Sequence, residues 1–447
     1  MAVQQTFTGA DRDFPRSAPS HEYVVGLDIG TTKVVAIITL KDPKSQTLDI
    51  LGVGTAPSEG LNRGVVVNID KTVQSIRQAI EQAEQRSGVK AKEVVVGIAG
   101  DHIQSFQTRS IIAISNPNRE ISQSDVDRLL EDTRKIAIST DRKILHVIPQ
   151  DFIIDGQDGI TDPVGMSGVR MEANVHVVTG LVTAMQNIYR CVERAGLVVQ
   201  DIVLEPIASS YAVLDAEEKE VGVAIIDIGG GTTDVAIFEE NIIRHTAVFA
   251  IAGRQVTDDI RKGLGIIQGQ AERIKHEYGH AIQESIMRDD VFMIPGVGGR
   301  KPLEVSKSLL CQIIQPRMEE IFEFALAEIR RSGYERRLSA GIVVTGGSAL
   351  VRGTDELAYR VFGMPVKIGI PTGSNFGGLS DEVENPMYAT AVGLALYGLQ
   401  QNENAPAQHT VVTTNNGVEM ANGAEQHLSN GSKFSLLQRV KTFFEEL

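Results

Sequence analysis

The segment Asp227-Ile228-Gly229-Gly230-Gly231-Thr232-Thr233-Asp234 has a shorter copy near the N-terminus, Asp28-Ile29-Gly30-Thr31-Thr32-Lys33. Each copy follows an apolar run (Tyr23 to Leu27; Val223 to Ile226) and precedes another (Val34 to Leu40; Val235 to Phe238). The pattern reads strand, tight Gly/Thr turn, strand: a β-hairpin, twice. Glycines let the backbone approach an anion and aim consecutive N–H groups at it, and the threonine hydroxyls add donors. An aspartate at the edge of each hairpin can hold a hydrated divalent cation beside phosphates. Two such hairpins facing each other would clamp a polyphosphate between the halves of a duplicated α/β domain. The chain has no Gly-x-x-x-x-Gly-Lys-Ser/Thr loop, and no Gly-x-Gly-x-x-Gly opens a helix after a strand, so two commoner phosphate-binding designs are excluded.

At 447 residues the chain is long for one core and suggests two or three domains. A formal charge of −14 argues against nucleic acid as a partner. Cys191 and Cys311 are the only cysteines, too few for a disulfide framework and in keeping with a reducing compartment. No apolar run is long enough to span a bilayer. Residues 1–20 lack an apolar stretch and read as a disordered extension rather than a signal peptide.

After the first hairpin, Asp70 reads as an N-cap. Val73, Ile76, Ile80 and Ala83 keep helical spacing until Gly88. Residues 89–176 read as an inserted unit, with strands at 94–99, 111–115, 144–148, 151–154 and 175–178 and a helix starting near Ser122 or Ser124. A helix at 184–194 follows. The second half shows strands through 250, a helical region at about 254–333, a strand at 341–345 and a last helix near 385–399. The resulting division is 21–88 with 177–206 for the first lobe, 89–176 for the insert, 207–252 with 334–400 for the second lobe, and 253–333 for a helical subdomain. Residues 401–432, rich in Asn, Gln, Thr and Gly, have linker composition. As a flexible coil they would span roughly 30 Å. Residues 433–447 then turn amphipathic.

Three further segments suit a nucleotide cleft. Val343-Val344-Thr345-Gly346-Gly347-Ser348 is a strand running into a glycine turn fit for close contact with an adenine or ribose. Glu272 and Lys275 stand one helical turn apart and could grip ribose hydroxyls. Glu205-Pro206 lies just before the second hairpin. The hairpins resemble the phosphate loops of the actin, sugar-kinase and heat-shock-chaperone ATPase superfamily, and the order of all five elements is that of the superfamily. His276-Glu277-Tyr278-Gly279-His280 matches a zinc-protease pattern, with Glu284 a third ligand on paper. Gly279 weakens the helix that such a site needs, and the segment continues from the Glu272/Lys275 helix, so the zinc reading is set aside.

From about Tyr23 to Tyr397, and again at the C-terminal helix, the chain resembles the FtsA family of actin-like bacterial cell-division proteins. The likeness is carried by Val66-Val67-Asn68, His146-Val147-Ile148-Pro149-Gln150, Pro163 to Met171, Ile294 to Arg300, and Thr390-Ala391-Val392-Gly393-Leu394. It implies an actin-like two-lobed ATPase fold of α/β class, with an inserted FtsA-type subdomain, a flexible linker and a C-terminal amphipathic helix. It also implies ATP with Mg²⁺ between the lobes. The phosphates are expected at Gly30, Thr31, Thr32 and Lys33 on one side and Gly229, Gly230, Gly231, Thr232 and Thr233 on the other. Asp28 and Asp227 would hold the hydrated magnesium, and Glu205 or Asp227 would orient an attacking water. Glu272, Lys275, Gly346, Gly347 and Ser348 would hold adenosine.

The implied function is an ATP-switched protein that polymerises on the inner face of the cytoplasmic membrane, tethers FtsZ there at the division septum and recruits later division proteins. The partners so implied are a second copy of the chain, lipid, and the FtsZ C-terminal peptide, with Arg300 and Arg317 as the basic residues meeting that tail. A pilus-assembly ATPase and a small-molecule kinase of the same superfamily are the alternatives. For the membrane contact the residues themselves speak: at roughly 100° per residue, Leu436, Leu437, Val440, Phe443, Phe444 and Leu447 share one arc, flanked by Arg439 and Lys441.

Overall fold

The structure, a computed structural model, describes residues 23–41, 48–116, 118–372 and 376–404. The chain opens with strands β1 (Tyr23–Ile29), β2 (Lys33–Lys41) and β3 (Leu48–Pro57). The short ladder of β4 (Leu61–Asn62) and β5 (Val65–Val66), helix α1 (Ile69–Ser87) and β6 (Glu93–Ile98) follow. Next come β7 (Gln104–Ala113), α2 (Gln123–Arg134), β8 (Arg142–Ile154), β9 (Gln157–Ile160) and β10 (Arg170–Leu181). Then α3 (Val182–Arg194), β11 (Val198–Leu204), α4 (Glu205–Val213) and α5 (Ala216–Val221) lead to β12 (Val223–Ile228), β13 (Thr233–Glu239) and β14 (Ile242–Phe249). Helices α6 (Gly253–Leu264) and α7 (Gln268–Tyr278), strands β15 (Val291–Ile294) and β16 (Leu303–Ser306), α8 (Lys307–Ser332), β17 (Gly341–Thr345), α9 (Thr354–Phe362) and β18 (Val366–Ile368) continue. The chain closes with β19 (Phe376–Gly378), α10 (Ser380–Val383) and α11 (Ala389–Asn404).

The two repeats become equivalent halves of two sheets. The first sheet runs β11-β6-β1-β2-β3-β19 and the second β14-β13-β12-β17-β18. In each, the hairpin is antiparallel and its first strand also pairs in parallel with a later one, β6 in one case and β17 in the other. Both leading strands are buried on both faces, which is why they read as unbroken apolar runs rather than alternating ones. Apolar residues from the two sheets meet in a shared core that includes Val35, Ile37, Val223, Ile225, Val343 and Val392.

Five elements differ from the sequence reading. Helix α1 is capped by Asn68, whose side chain accepts from the Lys71 N–H at 3.0 Å, and Asp70 sits inside the first turn. Both residues can cap, and the extended backbone of Asn68 immediately before Ile69 gives it the role. Strand β6, assigned to the insert by its 89–176 bounds, instead pairs with β1 and β11 inside the first sheet. The insert's own sheet is β7-β10-β8-β9, packed on α2. There, 142–154 is one strand rather than two, with a register shift at Asn174/Val175 that leaves Gln150 opposite no residue. Residues 253–333 contain the β15/β16 hairpin as well as helices.

The last of the five concerns the chain's return. β19 pairs with β3, and Leu394 of α11 lies in the first lobe's core, so 376–404 does not belong with the second sheet. Close approach explains it. A Cβ on Gly26 would overlap the Ala391 carbonyl, and one on Gly393 the Ala208 carbonyl, so α11 lies directly on β1 and α4.

The insert, though spliced into the first half, is hydrogen-bonded to β14 of the second. Ser105 Oγ donates to Thr246 O at 2.8 Å, and Gln150 Nε2 donates to Ile243 O at 2.9 Å and Arg244 O at 2.8 Å. His176 Nε2 lies 2.9 Å from Thr246 Oγ1.

Candidate functional site

The turns of the two hairpins meet across a cleft. A Cβ on Gly230 would overlap the Thr32 side chain, and one on Gly231 the Thr31 hydroxyl. The cleft has two chambers that share Thr31, Thr32, Lys33, Gly229, Gly230, Gly347 and Met387. An outer chamber of about 480 Å³ is further lined by Ser58, Gly253, Arg254, Glu272, Lys275 and Ser348, among others. An inner one of about 60 Å³ adds Asp28, Gly30, Glu205, Asp227, Gly231, Thr232, Asp234, Gly346 and Thr390. The outer volume suits a nucleoside and the inner one holds about two waters or an ion. A larger hollow of about 680 Å³ on the outside of α1 and α3 is lined by Asp70, Arg77, Glu81 and Arg194 and lies away from both hairpins.

Of the expected nucleotide residues, all but Thr233 line the cleft. Thr233 is fully buried and its hydroxyl donates to Ile251 O at 2.6 Å, so it fastens β13 instead. The alternation of β13 explains this. Thr232 closes the turn, and one residue later the side chain points to the opposite face. Gly346 has φ +85°, and a Cβ there would strike Asp227 and the Ile228 carbonyl. A Cβ on Gly347 would meet open space.

Four carboxyls converge on the inner chamber against one ammonium. Burial, and to a lesser degree Asp227, raise the Asp28 carboxyl to about 6, with Lys33 opposing. Burial followed by Asp28, Asp234 and Asp227 pushes Glu205 well above the usual range. Asp234, buried and near Asp227, is raised likewise, and its Oδ1 has no hydrogen-bond partner. Asp227 is also raised by burial, though Ser209 Oγ at 2.6 Å and Thr390 Oγ1 at 3.1 Å donate to its Oδ2. Burial lowers Lys33, which Asp28 and Asp227 counteract; its ammonium donates to Met387 O and lies 4.9 Å from the Tyr388 ring centroid.

This excess of buried carboxyls over basic groups, with an orphaned carboxyl oxygen, fits a divalent cation, which would favour their ionised forms. Among the described residues no three His, Cys, Asp or Glu side chains have metal-binding geometry. The His276/His280 pattern forms no such group either. α7 ends at Tyr278, and His280 lies beyond it with Nδ1 accepting from Ile282 N at 3.2 Å.

Glu205 opens α4, with Pro206 in the first turn, and lies beside Gly97 of β6. Sequence reading treated Glu-Pro as an isolated pair and missed this helix. Proline at the first turn was the available signal. Asp234 was missed too, although it faces Asp227 across the hairpin register and ends the very motif that marks the site.

On the adenosine side, Glu272 Oε1 lies 2.8 Å from Lys275 Nζ and 3.0 Å from His276 Nε2, and its other oxygen accepts from Thr257. Burial raises Glu272, but these bonds win and hold it down to about 2. Lys275 is buried and also donates to Thr257 Oγ1 at 2.9 Å. The pair therefore ties α7 to α6 and presents a fixed carboxylate to the chamber. The Gly253 and Arg254 N–H groups donate to Gly229 O and Gly230 O at 3.1 and 2.8 Å, latching α6 to the second turn.

Arg300 is exposed between β15 and β16. Arg317, on α8, is already paired with Asp259 at 2.6 Å and with Glu320, so its charge is answered within the chain. The residues expected to touch a membrane, 436–447, lie outside the described residues.

The comparisons agree with this architecture. A family profile described as "Cell division protein FtsA" matches residues 224–393, and one described as "SHS2 domain inserted in FTSA" matches 100–179. The cell division protein FtsA of Pseudomonas aeruginosa is 46% identical over 429 residues, 96% of this chain and 99% of that one. Among solved structures, a PilM-PilN type IV pilus biogenesis complex is similar with TM-score 0.61 at 18% identity, over 84% of this chain and 98% of that one. MreB5 of Spiroplasma citri bound to ADP is similar with TM-score 0.51 at 17% identity, over 86% and 99%. These two bear on the fold alone, which is actin-like and carries an inserted SHS2 domain at 100–179.

Proposed function

Because the chain belongs to the family of the cell division protein FtsA, we propose that it is an ATP-switched tether of the division machinery. As a member it is an actin-like cell-division protein. In the proposed cycle, ATP with Mg²⁺ fills the cleft and the chain polymerises on the inner face of the cytoplasmic membrane at the septum. There it holds FtsZ by that protein's C-terminal peptide and recruits later division proteins. The facing of the two Gly/Thr turns over a carboxylate-rich chamber carries the nucleotide part of this reading. The 46% identity favours division over pilus assembly, for which the likeness is at 18%.

Within the cleft, Gly30 to Lys33 and Gly229 to Thr232 would surround the β- and γ-phosphates with N–H groups, hydroxyls and one ammonium. Asp28 and Asp227, joined by Asp234 through its unpartnered Oδ1, would hold the hydrated magnesium, which neutralises phosphate charge when bound. Asp227 already accepts from two hydroxyls and is fixed for that work. Glu205, whose carboxyl makes no hydrogen bond among the described residues, is then the group to orient an attacking water. Phosphoryl transfer needs little beyond such positioning and charge neutralisation. The peptide site is placed on residues 253–333, with Arg300 the better of the two arginines because Arg317 is internally paired. The segment 433–447 supplies the lipid contact.

Co-sedimentation with liposomes tests the whole. FtsZ should pellet with vesicles only when this protein and ATP are both present. FtsZ remaining in the supernatant under those conditions overturns the tether.

A further inference from the structure

The outer chamber carries two polar groups that the chain leaves unsatisfied, one on each wall. Ser58, just past β3, has a buried hydroxyl without a hydrogen-bond partner. Burying a hydroxyl in that state is unfavourable unless something else fills its bond. Arg254, the second residue of α6, is exposed and makes no ion pair or side-chain hydrogen bond among the described residues. The other nitrogen-bearing side chains of the cleft are engaged: Lys275 with Glu272 at 2.8 Å, the His276 ring with the same carboxylate, and Lys33 with Met387 O.

Position gives the two groups a common target. The Ser58 N–H donates to Thr32 O at 3.1 Å, and the Arg254 N–H donates to Gly230 O at 2.8 Å. Thr32 and Gly230 are one of the two pairs at which the two turns touch. Ser58 and Arg254 therefore flank that meeting point from opposite lobes, on the side where the cleft is widest. The inner chamber, with four carboxyls to one lysine, offers a phosphate little positive charge of its own.

We propose that Ser58 and Arg254 are phosphate-binding residues at the mouth of the cleft, reading the nucleotide's polyphosphate from the two lobes at once. The guanidinium supplies charge-assisted hydrogen bonds and the serine hydroxyl donates from the facing wall. This rests on the nucleotide reading of the cleft and adds a second counter-charge to that of Lys33.

Dissociation constants for ATP, ADP and AMP in the presence of magnesium test it, using the full chain and its Arg254→Ala and Ser58→Ala variants. Arg254→Ala should weaken ATP about tenfold or more, ADP less and AMP hardly at all. Arg254→Lys should recover part of the loss. Ser58→Ala should weaken ATP about fivefold while the nucleotide-free protein unfolds at an unchanged or higher urea concentration. Equal losses for all three nucleotides, or none, overturn the pair while the cleft reading stands. A parent protein that binds none of the three overturns both.

Discussion

Replacing Asp28 by asparagine should make the nucleotide-free protein more stable and abolish magnesium-dependent ATP binding. The carboxyl rises from 3.8 to about 6 in the fold. A group whose folded pKa is raised costs nothing below its unfolded pKa, and the cost grows as pH climbs through the interval between the two. At 1.36 kcal/mol per unit, that cost is about 3 kcal/mol at pH 7.5 and about 1.5 kcal/mol at pH 5. Asparagine has nearly the same shape and no charge to bury, so it removes the cost; Lys33 keeps Asp227 as its counter-charge. Urea unfolding of both proteins with a chelator at the two pH values reads the difference directly. The variant should be more stable at both, by roughly twice as much at pH 7.5 as at pH 5. A variant no more stable than its parent at pH 7.5, or an advantage that does not shrink at pH 5, would show that Asp28 is not held against its ionised form.

Glu205→Gln should bind ATP like the parent and lose turnover in a phosphate-release assay; equal turnover refutes its role with water. Gly230→Val puts branched carbons where the Thr32 side chain already stands, so equilibrium binding should find no ATP affinity, while circular dichroism checks that the fold survives. For the C-terminal segment, full burial of each apolar side chain would contribute about 1.5–3 kcal/mol, reduced by partial immersion and by ordering the peptide. Phe443→Glu with Phe444→Glu should therefore abolish liposome flotation, and equal flotation would place the lipid contact elsewhere.

The fold was legible mainly through its duplication. Two Asp-Ile-Gly turns between buried strands leave few architectures, and Gly346-Gly347 and Glu205-Pro206 fell in the order that such an architecture needs. What stayed hidden depends on packing across long sequence separations. Nothing local in Glu93–Ile98 says whether β6 pairs with β1 or joins the insert, because a strand buried on both faces looks alike in either sheet. The return of α11 to the first lobe rests on Gly26 and Gly393, whose role appears only once a partner carbonyl is placed against each. Within the site, Thr232 and Thr233 look interchangeable in sequence. The pleat turns one to the cleft and the other to Ile251. Ser58 and Arg254 carry no motif at all and are distinguished only by lacking partners where their neighbours have them.

The central claim is that the two turns close on a nucleotide's phosphates, and a structure of the chain with a non-hydrolysable ATP analogue and magnesium tests it most directly. The β- and γ-phosphates should lie between Gly30–Lys33 and Gly229–Thr232, with the ribose near Glu272 and the cation within a water's reach of Asp28 and Asp227. An analogue bound elsewhere, such as the hollow beside Arg77 and Arg194, or phosphates pointing away from both turns, would contradict it.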